Sequence, residues 1–371
     1  MAQFLAPRRP SPAGNGNEES FTVSKTFRLL VMALLAALAL GAAACGDDDD
    51  DDGGGGGDGG GQEQTAESIK AGVVTDIGGL NDRSFNALAN KGIKQAESEL
   101  GVETRVLISN SNGDYVPNLT TLAQQQFDLI IPVGFLMADA VATVAKELPD
   151  SQFAIIDFPA AGLKGKPQNV QGLLFKENEA GFLAGYLAGL WAKDNDATTV
   201  STVGGQKIPP VDAYIAGFQA GAKKAFPQVR TLNGYSQDFV DQAKCKEIAL
   251  DQIAQGSKVV FQVAGGCGLG ALDAAKEEGV QGIGVDADQG YLGEHILTSA
   301  VKKVDQAVFE AVKRAQEGSF EGGSDVIATV ENGGVGLGKL GPEGQKYQAQ
   351  IDEITQQVAS GEVGEIPAEV K

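Results

Sequence analysis

The feature that most constrains this chain is an alternation, running from about residue 68 onward, of short apolar runs with longer amphipathic stretches. Such chains form α/β folds with parallel sheets, because each crossover helix carries the chain back to start the next strand in the same direction. Ten runs read as strands: 69–75, 104–109, 128–133, 153–157, 170–175, 198–203, 229–235, 258–264, 282–286 and 295–300. Most are apolar almost without a break, which predicts sheets covered by helices on both faces. Helices are expected between them over 84–100, 118–126, 136–148, 178–192, 212–225, 241–255 and 268–278. The rhythm pauses at FPAAGLKGKPQN (158–169) and then resumes. Two doubly wound lobes joined by short crossovers suit that pause better than one ten-stranded sheet. The expected division is 67–162 plus 302–326 for the first lobe and 163–301 plus 327–371 for the second.

Charge narrows the function. Asp and Glu number 49 against 29 Lys and Arg, a formal charge of −20. A nucleic-acid partner is not expected, since affinity for phosphates comes mainly from cations. The single histidine, His295, leaves no multi-histidine metal site and no Ser-His-Asp arrangement that is not built on it. No catalytic residue, metal or cofactor is expected.

The N-terminal region reads as an address. Residues 29–44, LLVMALLAALALGAAA, are uncharged and follow Lys25 and Arg28. That is the pattern of an export signal, too short to span a membrane comfortably. The polar, Pro/Gly-rich stretch 1–22 is odd upstream of such a signal, so translation is expected to start at Val23 and the signal to cover 23–44. The run Ala42-Ala43-Ala44-Cys45-Gly46 resembles the bacterial lipobox, with Ala42 where the pattern usually has leucine. The resemblance implies lipidation at Cys45 and a location on the extracytoplasmic face of the cell membrane. Residues 45–66, rich in Asp and Gly, have nothing apolar to bury and read as a disordered tether.

In open parallel sheets ligands sit beyond the carboxyl ends of the strands. Those positions hold Asp76 and Asp82, Gly134 and Phe135, Asp157, Phe239 and Asp241, Gly265 and Gly266, Asp286 and Asp288, and Lys302. Plainer roles stand beside each. Asp76 and Asp82 suit caps for the helix that opens near Ser84, Phe85 suits the core, Asp286 suits a turn, and Lys302 with Lys303 suits a solvated pair.

The stretch DIGGLNDRSFN (76–86), with DYVPNLTTLA (114–123), FQVAGGCGLGALDAA (261–275), GVDADQ (284–289) and LTSAVKKVDQAV (297–308), resembles the basic membrane protein family. These are lipoprotein substrate-binding components of ABC importers, similar to receptors for purine nucleosides. The resemblance implies a nucleoside ligand and permease and ATPase subunits as partners. It also implies that Asn81 and Asp82 meet the base edge, that Phe239 stacks on the base, and that Asp157, Gly266, Asp286 and Lys302 meet the ribose. One departure stands out: Asn90 occupies a place where the family commonly has a second aromatic. Phe135, Phe158 and Phe175 are the candidates to replace it, and a pyrimidine nucleoside or a ligand without a base stays open. A sensor and a ligand-free surface lipoprotein are the other classes such a chain could serve.

Two local signals remain. Gly266-Cys267-Gly268-Leu269-Gly270-Ala271 satisfies the dinucleotide fingerprint G-x-G-x-x-A. Its late place in an exported chain argues against a dehydrogenase, and the same glycines let backbone approach a sugar. Cys245 and Cys267 are the cysteines of the exported body, and an oxidising compartment favours their pairing, with two buried thiols as the alternative.

Overall fold

The structure is a computed structural model that describes residues 69–371. The export signal 23–44, Cys45 and the tether 45–66 lie outside the described residues.

Two six-stranded sheets carry the fold. The first runs β11-β5-β4-β3-β1-β2, from β1 (Lys70–Val74), β2 (Glu103–Leu107), β3 (Leu129–Pro132), β4 (Gln152–Ile156), β5 (Val170–Phe175) and β11 (Asp325–Ala328). The second runs β12-β10-β9-β8-β6-β7, from β6 (Thr199–Gly204), β7 (Arg230–Tyr235), β8 (Ser257–Val263), β9 (Gln281–Asp286), β10 (Ile296–Lys302) and β12 (Val335–Leu337). All pairings are parallel except the edge pair β10–β12. The chain has the expected α/β architecture of two lobes.

The central strands are apolar throughout because both faces are covered. Alternate residues of β1 and β3 enter different cores: Val73, Leu129 and Ile131 pack under α1 (Phe85–Leu100) and α8 (Val304–Gln316), while Val74 and Ile130 pack under α2 (Tyr115–Gln124) and α3 (Ala138–Glu147). In the second lobe α4 (Glu177–Asp194) and α5 (Pro209–Ala225) cover one face, and α6 (Gln242–Ala254) and α7 (Gly268–Glu277) the other. The closing helix α9 (Gln348–Ala359) packs on α4.

Helices α4 and α5 approach until backbone meets backbone. A Cβ at Gly181, Gly185, Gly217 or Gly221 would stand about 2 Å from a carbonyl oxygen of the other helix. Any side chain there would force the helices apart, so this packing fixes α4, and with it the first residue of that helix, Glu177.

The lobe boundary differs from the sequence reading. Strand 170–175, expected in the second lobe, pairs with β4 in the first. The chain therefore crosses after Phe175, not in the 158–169 loop. Lys302 was expected to open the return to the first lobe, yet it closes β10 in the second. The two small edge strands, β11 and β12, were not anticipated. Three crossovers run side by side: Lys176 N–H donates to Ala328 C=O at 2.8 Å, and Lys303 N–H to Gly334 C=O at 2.9 Å. Neighbouring crossovers of this kind form a natural hinge.

Candidate functional site

The carboxyl ends of both sheets face one cleft. Six of the seven proposed ligand contacts line it: Asp82, Asp157, Phe239, Gly266, Asp286 and Lys302. Asn81 does not. It is exposed and faces a separate surface hollow with Leu80 and Arg83, because the short turn 79–81 points it away from the cleft. The asparagine that does reach the cleft is Asn86, whose Oδ1 accepts from Asp76 N–H at 2.9 Å.

Asp82 caps the first helix and also lines the cleft. Its carboxylate accepts from the backbone N–H groups of Ser84 (3.1 Å), Asn86 (2.7 Å) and Ala87 (3.0 Å), capping α1. The free N–H groups at a helix start stabilise an anion there. Burial nevertheless outweighs those bonds and raises its pKa above the ordinary value. Asp76 is not a helix cap. Its Oδ1 accepts from Ile77 N–H at 2.7 Å and from the Tyr115 hydroxyl, and burial pushes its pKa up to about 6.

Ser84, Asp286, Lys302 and Asp157 make the closest links between the lobes, with Gln289 Nε2 donating to the Arg83 carbonyl at 3.3 Å beside them. Ser84 Oγ, on the first lobe, donates to Asp286 Oδ2 on the second at 2.6 Å. Lys302 Nζ lies 2.6 Å from Asp157 Oδ1 and 2.7 Å from Oδ2 across the cleft. Lys302 is thus no solvated surface lysine: its side chain is 2% exposed, over the faces of Phe85 and Phe175 at 5.0 and 4.8 Å. Phe85, read as core, packs against that core and also forms a cleft wall that carries this cation. Both Asp157 (φ 68°) and Asp286 (φ 59°) adopt left-handed backbone, which costs on the order of 1 kcal/mol or more for a side chain other than glycine. Strain kept at two facing positions points to function. Burial pushes Asp286 to about 6, against the pull of Lys302 and Ser84.

The aromatic walls come from opposite lobes. Phe239 leans on Gly205 and Gly265 in the second lobe. In the first, Phe135 lines the cleft and rests on Phe158, ring centroids 5.0 Å apart. Phe175 lies under Lys302, and Asn90 is not a cleft wall. Sequence reasoning missed Tyr214 and Glu177. The Tyr214 hydroxyl lies 3.4 Å from Asp286 Oδ1, and Glu177 Oε1 lies 2.9 Å from Lys302 Nζ. Tyr214 sits inside an apolar helix pattern, and Glu177 looks like any acidic residue opening a helix; neither carries a local signal.

Cys245 and Cys267 form a disulfide with Cα atoms 5.6 Å apart, tying α6 to the glycine loop. The Cys267 N–H also donates to the Phe239 carbonyl at 3.0 Å, so the Phe239 loop and the glycine loop are held as one piece. The glycines of the fingerprint have a packing reason: a Cβ at Gly270 would stand 2.0 Å from the Gln242 carbonyl oxygen, and one at Gly268 would stand 1.7 Å from Gln262 Oε1. His295 lies away from the cleft, partly buried at the start of β10, where burial lowers its pKa.

Acceptor carboxylates, a cation and two aromatic faces, divided between hinged lobes, define a two-lobed solute-binding protein of the kind that closes on a small ligand. Residues 69–369 match the family described as ABC transporter substrate-binding protein PnrA-like, and the chain belongs to that family. It is 35% identical to the ABC transporter nucleoside-binding protein BmpA of Lactococcus lactis, over 73% of this chain and 81% of that one. It is 33% identical to basic membrane protein B of Borrelia garinii, over 74% and 82%. An ABC transporter solute-binding protein of Aeropyrum pernix superposes with a TM-score of 0.72 at 27% identity, over 79% of this chain and 92% of that one. The chain is thus an ABC transporter substrate-binding protein and not an enzyme. Among the described residues no helix is long and apolar enough to cross a membrane.

Proposed function

We propose that the cleft binds a nucleoside, with a purine nucleoside favoured, and that the closed form presents it to an ABC permease with its ATPase subunits. The observation that carries this reading is the pairing of polar and aromatic groups from opposite lobes. Asp157 and Asp286 offer acceptors suited to ribose hydroxyls, where hydrogen bonds to charged groups contribute about 1.5–3 kcal/mol each. Phe135 and Phe239 offer faces for a flat base, and Gly266 lets backbone approach. The name of the Lactococcus relative supports the same ligand class. A ligand that touches both lobes shifts the population toward the closed form, which gives a permease something to recognise. Lipidation of Cys45 would hold the body at the membrane; the mass of the mature N-terminal peptide checks it.

The test is calorimetric titration of residues 67–371 with guanosine, adenosine, inosine, cytidine and arabinose. Tight binding of the purines and at least tenfold weaker binding to Asp286→Ala are expected. Arabinose binding without nucleoside binding, or unchanged affinity in the variant, would refute the assignment.

A further inference from the structure

The ammonium of Lys302 donates to Asp157 Oδ2 at 2.7 Å and to Glu177 Oε1 at 2.9 Å, while Asp157 Oδ1, 2.6 Å from the same nitrogen, accepts no hydrogen bond and is left for another donor. The two partners are not equivalent. Asp157 belongs to the first lobe and faces the cleft, whereas Glu177 opens α4 in the second lobe, behind the cleft, and packs in the same body as β10. When the lobes part, or when a ligand hydroxyl engages Asp157, the Asp157 contact with Lys302 weakens and the Glu177 contact does not. A buried ammonium left without a counter-ion is strongly disfavoured. Glu177 is itself 8% exposed, and its helix is locked in place by the α4–α5 packing.

We propose that Glu177 is a positioning residue of the cleft: as the counter-ion within the same lobe, it keeps Lys302 charged and aimed while Asp157 turns to a ligand's hydroxyl groups. This rests on the nucleoside reading for its ligand probe, but not for its second readout. The charged and titratable groups facing Lys302 are Asp157 from the end of β4, Glu177 from α4 and Asp286 from the end of β9, with the Tyr214 hydroxyl of α5 beside Asp286. Burial by itself would lower the lysine's pKa, yet these carboxylates hold it above its ordinary value. Removing Glu177 takes away one of them, so Lys302 should lose its proton at lower pH. Asp157 would then be held by a cation that has no other carboxylate in direct contact, and a ligand would have to displace it from its only close partner.

The experiment compares wild type, Glu177→Gln and Glu177→Asp. Guanosine affinity should fall on the order of tenfold in Glu177→Gln, the size of one charged hydrogen bond. The loss should grow at alkaline pH, and Glu177→Asp should recover part of it. A variant that only loosened the fold would lose affinity without that alkaline shift. The second readout needs no ligand: the Lys302 Nζ resonance of lysine-labelled protein should move from ammonium toward amine at lower pH in Glu177→Gln than in wild type. If wild type binds no nucleoside, the ligand reading fails and the resonance alone decides this proposal. An unchanged Lys302 titration overturns it. So does wild-type guanosine affinity across the pH range in Glu177→Gln. Should Glu177→Gln not fold, the same two measurements on Glu177→Ala decide, with wild-type behaviour in both as the overturning result.

Discussion

The two lobes share one strand order, edge strand to edge strand, and place equivalent residues at equivalent points. Asp157 follows β4 and Asp286 ends β9, both in left-handed backbone; Gly134 follows β3 and Gly265 follows β8. The chemistry on that common frame differs. The first lobe follows β1 with Asp76 and caps α1 with Asp82, so its wall is acidic and tied to backbone amides. The second ends β6 in glycines and supplies Ile208, Val211, Val263 and Phe239, with the one lysine of the cleft wall. One lobe is chiefly a polar grip and the other chiefly an apolar platform. On the proposed reading, a small ligand with hydroxyls at one end and a flat face at the other would need both.

The largest effect should come from breaking the link between the lobes. Lys302→Met leaves Asp157 and Glu177 buried without their cation, and removing one partner of a buried ion pair costs about 3–5 kcal/mol. Urea denaturation should show that loss; a change near zero would mean that the cross-lobe pair carries no stability. Next in size is a change confined to the platform lobe. Replacing both Cys245 and Cys267 with serine opens a link of sequence separation 22 and should cost about 3 kcal/mol. Hydrogen exchange should then rise in α6 and α7 and stay unchanged in α1–α3.

The aromatic faces sharpen the comparison further. Phe239→Ala and Phe135→Ala should each weaken guanosine by about 1–3 kcal/mol, the worth of one stacking face, and leave any sugar binding nearly unchanged. A loss with Phe239→Ala alone would assign stacking to the platform lobe only. The last comparison is with pH. Asp76 and Asp286 titrate at about 6 in the folded chain against an ordinary value of 3.8, so the folded state binds more protons between those values. Stability therefore rises as pH falls from 7 toward 4, by an amount that shifts the melting temperature on the order of a few degrees. Nucleoside affinity should fall over the same range, because a protonated carboxyl is a poorer acceptor. Melting curves and calorimetry at pH 7 and 5 test the opposing signs, and Asp286→Asn should flatten both.

Much of this molecule is legible in one dimension. All ten long strands and the seven expected helices lie where periodicity puts them, within a few residues at the ends, because a strand buried on both faces must be a continuous apolar run. The aspartates at strand ends were equally legible, since topology alone sends those positions to one crevice. The short edge strands β11 and β12 were not: DVIA and VGL bury little and leave almost no pattern.

The sequence by itself determined the elements, the doubly wound class and the roster of charged groups at the strand ends, because those depend on contacts close along the chain. Tertiary structure alone decided which sheet takes β5, which of Asn81 and Asn86 turns inward, and that Lys302 meets Glu177 125 residues away in the chain. Partner choice of that kind is settled by burial and charge between distant segments, and no local pattern records it.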